Sequence, residues 1–134
     1  MLVEILDVID EVAQIVRVRG SVGEFDAFWM DPELPRVGDR RAVEVSFDGH
    51  ACEWGEDIAE VDAAAATGIA FRDGYFYATG RATWMGDHGM LWLQLDADCL
   101  TSVETAGLPD QPAETPAGLV TVRATEVELW DTHI

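Results

Sequence analysis

Apolar and polar side chains alternate with a period of two along much of this chain, and that pattern leaves few architectures open. Val43, Val45 and Phe47 alternate with Glu44, Ser46 and Asp48, and Leu91, Leu93 and Leu95 alternate with Trp92, Gln94 and Asp96. A strand turns successive side chains to opposite faces, so each segment buries one face and wets the other, as antiparallel sheets do. Between Phe71-Arg72 and Tyr75-Phe76-Tyr77 stands Asp73-Gly74, a pair that accepts the positive φ angles of a type I′ turn and predicts a hairpin over residues 68–84. Another hairpin is expected to turn through Gly86-Asp87-His88-Gly89, and residues 2–9 and 12–19 read as a pair separated by Asp10-Glu11. Gly20 and Gly23 then mark a bend into a strand over 24–30.

Three stretches interrupt the alternation. Residues 31–39 hold Pro32 and Pro35, which cannot sit in a central strand, and form a surface connection. In residues 56–65, Ile58, Val61 and Ala65 fall at helical spacing, with acids in the first turn and Gly68 beyond the end, which predicts one short helix. Residues 107–118, with Pro109, Pro112 and Pro116, read as a solvated Pro-rich loop. The last strand has a parity conflict: Val120 and Val122 are even, Val127 and Leu129 odd, so one register cannot bury all four and a bulge or corner is expected near Ala124-Thr125. The segments Val43-Glu44-Val45-Ser46-Phe47-Asp48 and Val127-Glu128-Leu129-Trp130-Asp131 look alike, a weak sign of duplication because alternation alone produces it.

The expected fold is mainly β: an antiparallel barrel of about eight short strands with one short helix, or alternatively a β-sandwich, in one acidic domain over residues 1–134. An oligonucleotide-binding type of barrel is one familiar way to set a helix between strands, but a fold does not carry its function with it.

Charge bounds the function. The chain has 26 acidic residues against eight basic ones, all arginine, for a net charge of -18. Such a surface repels nucleic acid and anionic membrane and attracts basic proteins and cations. GC-rich coding and adaptation to salt are neutral sources of the same excess. The start, Met1-Leu2-Val3-Glu4, has no basic leader region, and no apolar run reaches the roughly 18 residues of a membrane span, so the expected location is cytoplasmic. Cys52 and Cys99 then read as buried thiols, with a disulfide between them left open.

Catalytic motifs do not stand out. His50 and Cys52, two apart, are weak metal-ligand candidates that Asp87, His88, Cys99 or His133 would have to complete, and no Cys-x-x-Cys or His-Glu-x-x-His spacing supports them. No metal and no cofactor is therefore expected. Ser21, Ser46 and Ser102 lie outside any Gly-x-Ser-x-Gly elbow, and two nearby carboxylates mean little in so acidic a chain. The aromatic residues are more informative. Trp92 lies on the face opposite Leu91, Leu93 and Leu95, and Tyr75 and Tyr77 on the wet side of the central hairpin. Rings exposed among carboxylates make an anchor for a basic partner. Glu53, Glu56, Asp57, Glu60 and Asp62 form the densest acidic run, and on a helix Glu53, Asp57 and Glu60 would share one side as a negative ridge. The expectation is a non-enzymatic module that captures a basic protein, as immunity proteins, inhibitors and nucleic-acid mimics do, with no nucleic acid or membrane partner. The alternatives are a small-ligand-binding or metal-assisted catalytic barrel and a structural accessory subunit of an assembly; the sequence sets no oligomeric state.

Overall fold

The computed structural model describes residues 1–47, 51–84, 90–106 and 119–133. In chain order its strands are β1 (Leu2–Asp10), β2 (Ile15–Gly20), β3 (Gly23–Trp29), β4 (Arg40–Phe47), β5 (Cys52–Glu53), β6 (Ile58–Val61), β7 (Gly68–Arg72), β8 (Tyr75–Trp84), β9 (Met90–Asp96), β10 (Cys99–Ala106), β11 (Leu119–Ala124) and β12 (Val127–Asp131). The described residues hold no helix, and so none long and apolar enough to cross a membrane.

Five strands close into a barrel in the order β1-β2-β3-β12-β4. The first three form an antiparallel meander, and β4 returns beside β1, Leu2 facing Ala42, which is a Greek key. β12 fills the remaining gap, parallel to β3 and antiparallel to β4, with Val127 opposite Phe47. Alternation decides which side faces in: Val3 and Ile5, Val16 and Val18, Phe25, Ala27 and Trp29, Val43 and Val45, and Val127 and Leu129 are all buried. Register shifts after Ile5 and Val8 add the coil that a small barrel needs. The β1–β2 turn is held by Asp10 Oδ1, which accepts from the Val12 and Ala13 N–H groups at 2.9 and 3.0 Å. The two look-alike segments are neighbours here, β4 against β12, burying side chains in the same core.

The other seven strands are inserted between β4 and β12, in the order β5-β10-β9-β8-β11-β6 with β7 on β8. The hairpin β7–β8 turns as expected through Asp73 (φ 52°) and Gly74 (φ 84°). β8 and β9 pair from Arg81 opposite Gln94 to Trp84 opposite Leu91. The expected turn at 86–89 and the Pro-rich loop at 107–118 lie outside the described residues. At Gly80 the backbone of β9 comes so close that a Cβ would collide with the Gln94 carbonyl, so a glycine is what lets β9 pack against β8 at this point.

The expected short helix is corrected. Residues 55–57 are a turn, Ile58–Val61 is the edge strand β6, and Asp62 caps a following turn by accepting from the Ala64 N–H at 2.8 Å. Ile58 is fully buried and pairs with Val122, while Val61 pairs with Leu119. Three apolar residues at helical spacing are too few to outweigh a sheet edge that completes β11. Among the described residues the strands number twelve rather than about eight, because short edge pieces such as β5 form and because the final strand divides. That division is the expected corner: Val120 and Val122 are buried in the inserted sheet, Val127 and Leu129 in the barrel, and the chain crosses between them at Thr125-Glu126.

Both sheets share one buried cluster. The Ile69 N–H donates to the Val22 carbonyl at 2.7 Å, joining β7 to the β2–β3 turn. The buried Thr101 hydroxyl donates to the Val45 carbonyl at 2.8 Å, seating β10 on β4.

Candidate binding groove

The Thr101–Val45 hydrogen bond has a consequence on the surface. On β4 and β12 the inward residues are Val43, Val45, Val127 and Leu129, so Glu44, Ser46, Glu128 and Trp130 face outward, with Glu44 opposite Trp130 and Ser46 opposite Glu128. On β9 and β10, Leu91, Leu93 and Val103 are buried, while Trp92 stands opposite Ser102 and Leu100 opposite Gln94. Docking β10 on β4 brings these strand pairs together around a groove of about 490 Å³, lined among others by Glu44, Ser46, Trp92, Leu100, Ser102 and Trp130. Trp130 is 46% exposed and Leu100 53%. The Trp130 Nε1–H donates to Ser46 Oγ at 2.9 Å, and the Ser46 hydroxyl donates to Glu128 Oε1 at 3.2 Å. One indole is thus fixed by its polar edge.

Trp92, expected to point away from the leucines, does so and is half-buried in this groove. Trp130 was not among the expected contact residues. The parity that places Val127 and Leu129 inside is the signal that would have found it.

The other expected contacts lie elsewhere and are partly engaged. The Arg123 guanidinium stacks over Tyr75 at 4.6 Å and that of Arg72 over Tyr77 at 4.2 Å, so one face of each tyrosine is covered by the chain's own cation. Asp57 turns onto Arg123, Oδ1 to Nη2 at 3.0 Å, and its other oxygen accepts from the Glu53 N–H at 2.9 Å. Asp57, Tyr75, Arg123 and the buried Cys52 border a hollow of about 190 Å³. Glu56 beside Glu53 pushes the Glu53 carboxyl above its ordinary range by a side-chain hydrogen bond and by repulsion. Glu60 is exposed on β6 and Asp62 holds its turn. In place of a helix, these five acids are carried by β5, the turn at 55–57, the edge strand β6 and a second turn.

His50 lies outside the described residues, and among those described no group of three or more His, Cys, Asp or Glu is placed to hold a metal ion. Cys52 and Cys99 are both buried, and burial pushes the Cys99 thiol up to about 11. His133 Nε2 lies 2.7 Å from Asp31 Oδ2, and Ser21 hydrogen-bonds to Asp96.

Charge is unevenly divided. Residues 1–41 carry nine acids and five arginines, whereas the rest of the chain carries seventeen acids and three arginines. In the barrel the cations pair locally, Arg17 with Asp26, Arg19 with Glu4, and Arg41 with Asp39 and Asp131. No lining residue of the groove is basic. Comparison with family models, with curated proteins and with solved structures finds no match for this chain.

Proposed function

We propose that this chain is a non-enzymatic acidic module that captures a basic protein, in the manner of an inhibitor or immunity protein. The observation that carries the reading is the groove between the sheets: two tryptophans and a leucine beside the Glu44 carboxylate, with Glu128 bonded to Ser46 at its floor strand and no basic lining residue. Flat apolar anchors inside a charged rim are the composition of interface hot spots, and the surrounding field steers a cationic partner inward.

The test is to purify the chain at low ionic strength, identify what co-elutes, and titrate the purified partner against it. A basic protein whose affinity falls at least about tenfold between 0.05 and 0.5 M salt, mainly through the on-rate, is the expected result. Affinity indifferent to salt, or a neutral partner, overturns the reading. A second reading, a small-ligand site, is favoured by one observation: about 490 Å³ lies within the usual size range of such pockets. Native mass spectrometry showing a stoichiometric bound small molecule would decide for it.

A further inference from the structure

Resting on that binding reading, we infer that the groove between β4–β12 and β9–β10 receives an arginine side chain of the partner, its guanidinium lying against the Trp130 and Trp92 rings and paired with the Glu44 carboxylate. The molecule already contains this chemistry elsewhere. Arg123 lies over the Tyr75 ring and is paired with Asp57, so one guanidinium is shared between an aromatic face and a carboxylate. The groove offers the same two partners in a related arrangement, Trp130 with Glu44 directly across the strand pair, and contributes no cation of its own.

Three further features fit an arginine in particular. The Trp130 indole is restrained by the chain from its N–H through Ser46 to Glu128, so its face is presented without loss of side-chain freedom on binding. Glu44 is exposed and has no ion-pair partner among the described residues, so a partner's cation does not have to displace one. Leu100 supplies apolar surface for the methylene stem of a long side chain, while Ser102, opposite Trp92, adds a hydroxyl at the mouth. A planar guanidinium stacks on a ring and donates paired hydrogen bonds to a carboxylate at once; an ammonium does only the second well. Ser46 acts as a positioning residue, since its contacts are to Trp130 and Glu128.

The experiment uses the full chain and three nine-residue glycine-serine peptides that differ only at the central residue: arginine, lysine or citrulline. Titrations follow the indole N–H resonances and tryptophan fluorescence. The expected result is that the arginine peptide shifts the Trp130 and Trp92 indole signals and binds at least about fivefold more tightly than the other two. Trp130→Ala and Glu44→Gln each weaken it about tenfold, Ser46→Ala weakens it and moves the Trp130 indole signal in the free protein, and Val12→Ser, an exposed uncharged change in the β1–β2 turn outside the groove lining, leaves it unchanged. Glu44→Gln is an exposed, shape-conserving change, so it remains informative if Trp130→Ala fails to fold.

Equal binding of arginine and lysine peptides, or indifference to Glu44→Gln, overturns the arginine site. Salt-sensitive capture of a basic protein would then still stand. Equal binding of the citrulline peptide overturns it in favour of a neutral ligand. If neither the peptides nor any basic protein binds at low salt, the site and the wider reading fall together.

Discussion

Asp131 concentrates several opposing forces in one side chain. Its carboxylate is 3% exposed, 2.7 Å from Arg41 Nη1, and accepts from the His133 N–H at 2.8 Å. Burial alone would raise its pKa; the His133 N–H and the Arg41 guanidinium outweigh that and hold it below the ordinary aspartate value. Asp39 is lowered as well, by the Arg36 N–H and then by Arg41. Because these folded-state values lie below the unfolded one of about 3.9, their contribution is fully present above roughly pH 5 and is lost as pH falls through the unfolded value toward the folded ones. Glu53 has the opposite sign: raised by Glu56, it favours the folded state increasingly as pH falls through the ordinary glutamate range. Asp131→Asn should therefore cost about 1–3 kcal/mol at pH 7 and much less at pH 2, read from urea melts at the two pH values. Backbone positions give a second prediction. At Gly68 (φ 124°) a Cβ would sit 2.5 Å from the Val22 carbonyl oxygen, whereas at Gly74 (φ 84°) nothing lies within 4 Å. Gly68→Ala combines collision with strain and should cost about 2–4 kcal/mol, against about 1 kcal/mol for Gly74→Ala, where strain acts alone. Equal losses in urea melts would show that the approach of β7 to the β2–β3 turn is not tight.

The strand that most depends on distant partners is β12. It lies between β3 and β4, so without it the barrel core is left open between two unpaired edges. Removing residues 127–134 should abolish cooperative thermal unfolding and expose enough apolar surface to bind a hydrophobic dye; adding the missing segment as a peptide should restore the transition. A truncated chain that still melts cooperatively would mean that the inserted sheet carries the fold by itself. The same long-range pairings explain what the residues could and could not announce. The Asp73-Gly74 hairpin was legible because its turn chemistry is local. The corner at Thr125-Glu126 was legible because Val122 and Val127 cannot share a register. The misread helix at 56–65 has the opposite cause: its conformation is settled by β11, about sixty residues away, and helical spacing of Ile58, Val61 and Ala65 carries no information about that partner. Trp92 was readable as outward from its own strand. That it shares a groove with Trp130 was not, because the groove exists only where β10 docks on β4 through Thr101.

The charge of the molecule sets stability against binding. With a net charge of -18, the folded state confines repulsions that the unfolded chain relaxes by expanding. The turn before β6 shows this locally, where Glu56 forces Glu53 to hold its proton more tightly than a free glutamate does. Screening reduces such repulsion over a Debye length, about 10 Å at 0.1 M salt, while the buried apolar cluster is indifferent to it. The melting temperature should therefore rise between about 0.02 and 0.5 M sodium chloride. A triple variant, Glu53→Gln with Glu56→Gln and Glu60→Gln, should melt higher than the natural chain at low salt and converge with it at high salt. Its association with a basic partner should slow, since the steering field is weakened, while the rate of dissociation from the groove, which these residues do not line, stays nearly constant. A melting temperature that falls with salt would mean that attractive pairs such as Arg123–Asp57 and Arg41–Asp131 outweigh repulsion. A steeper rise with magnesium chloride than with sodium chloride at equal ionic strength would instead show that the acids are organised to bind a cation directly.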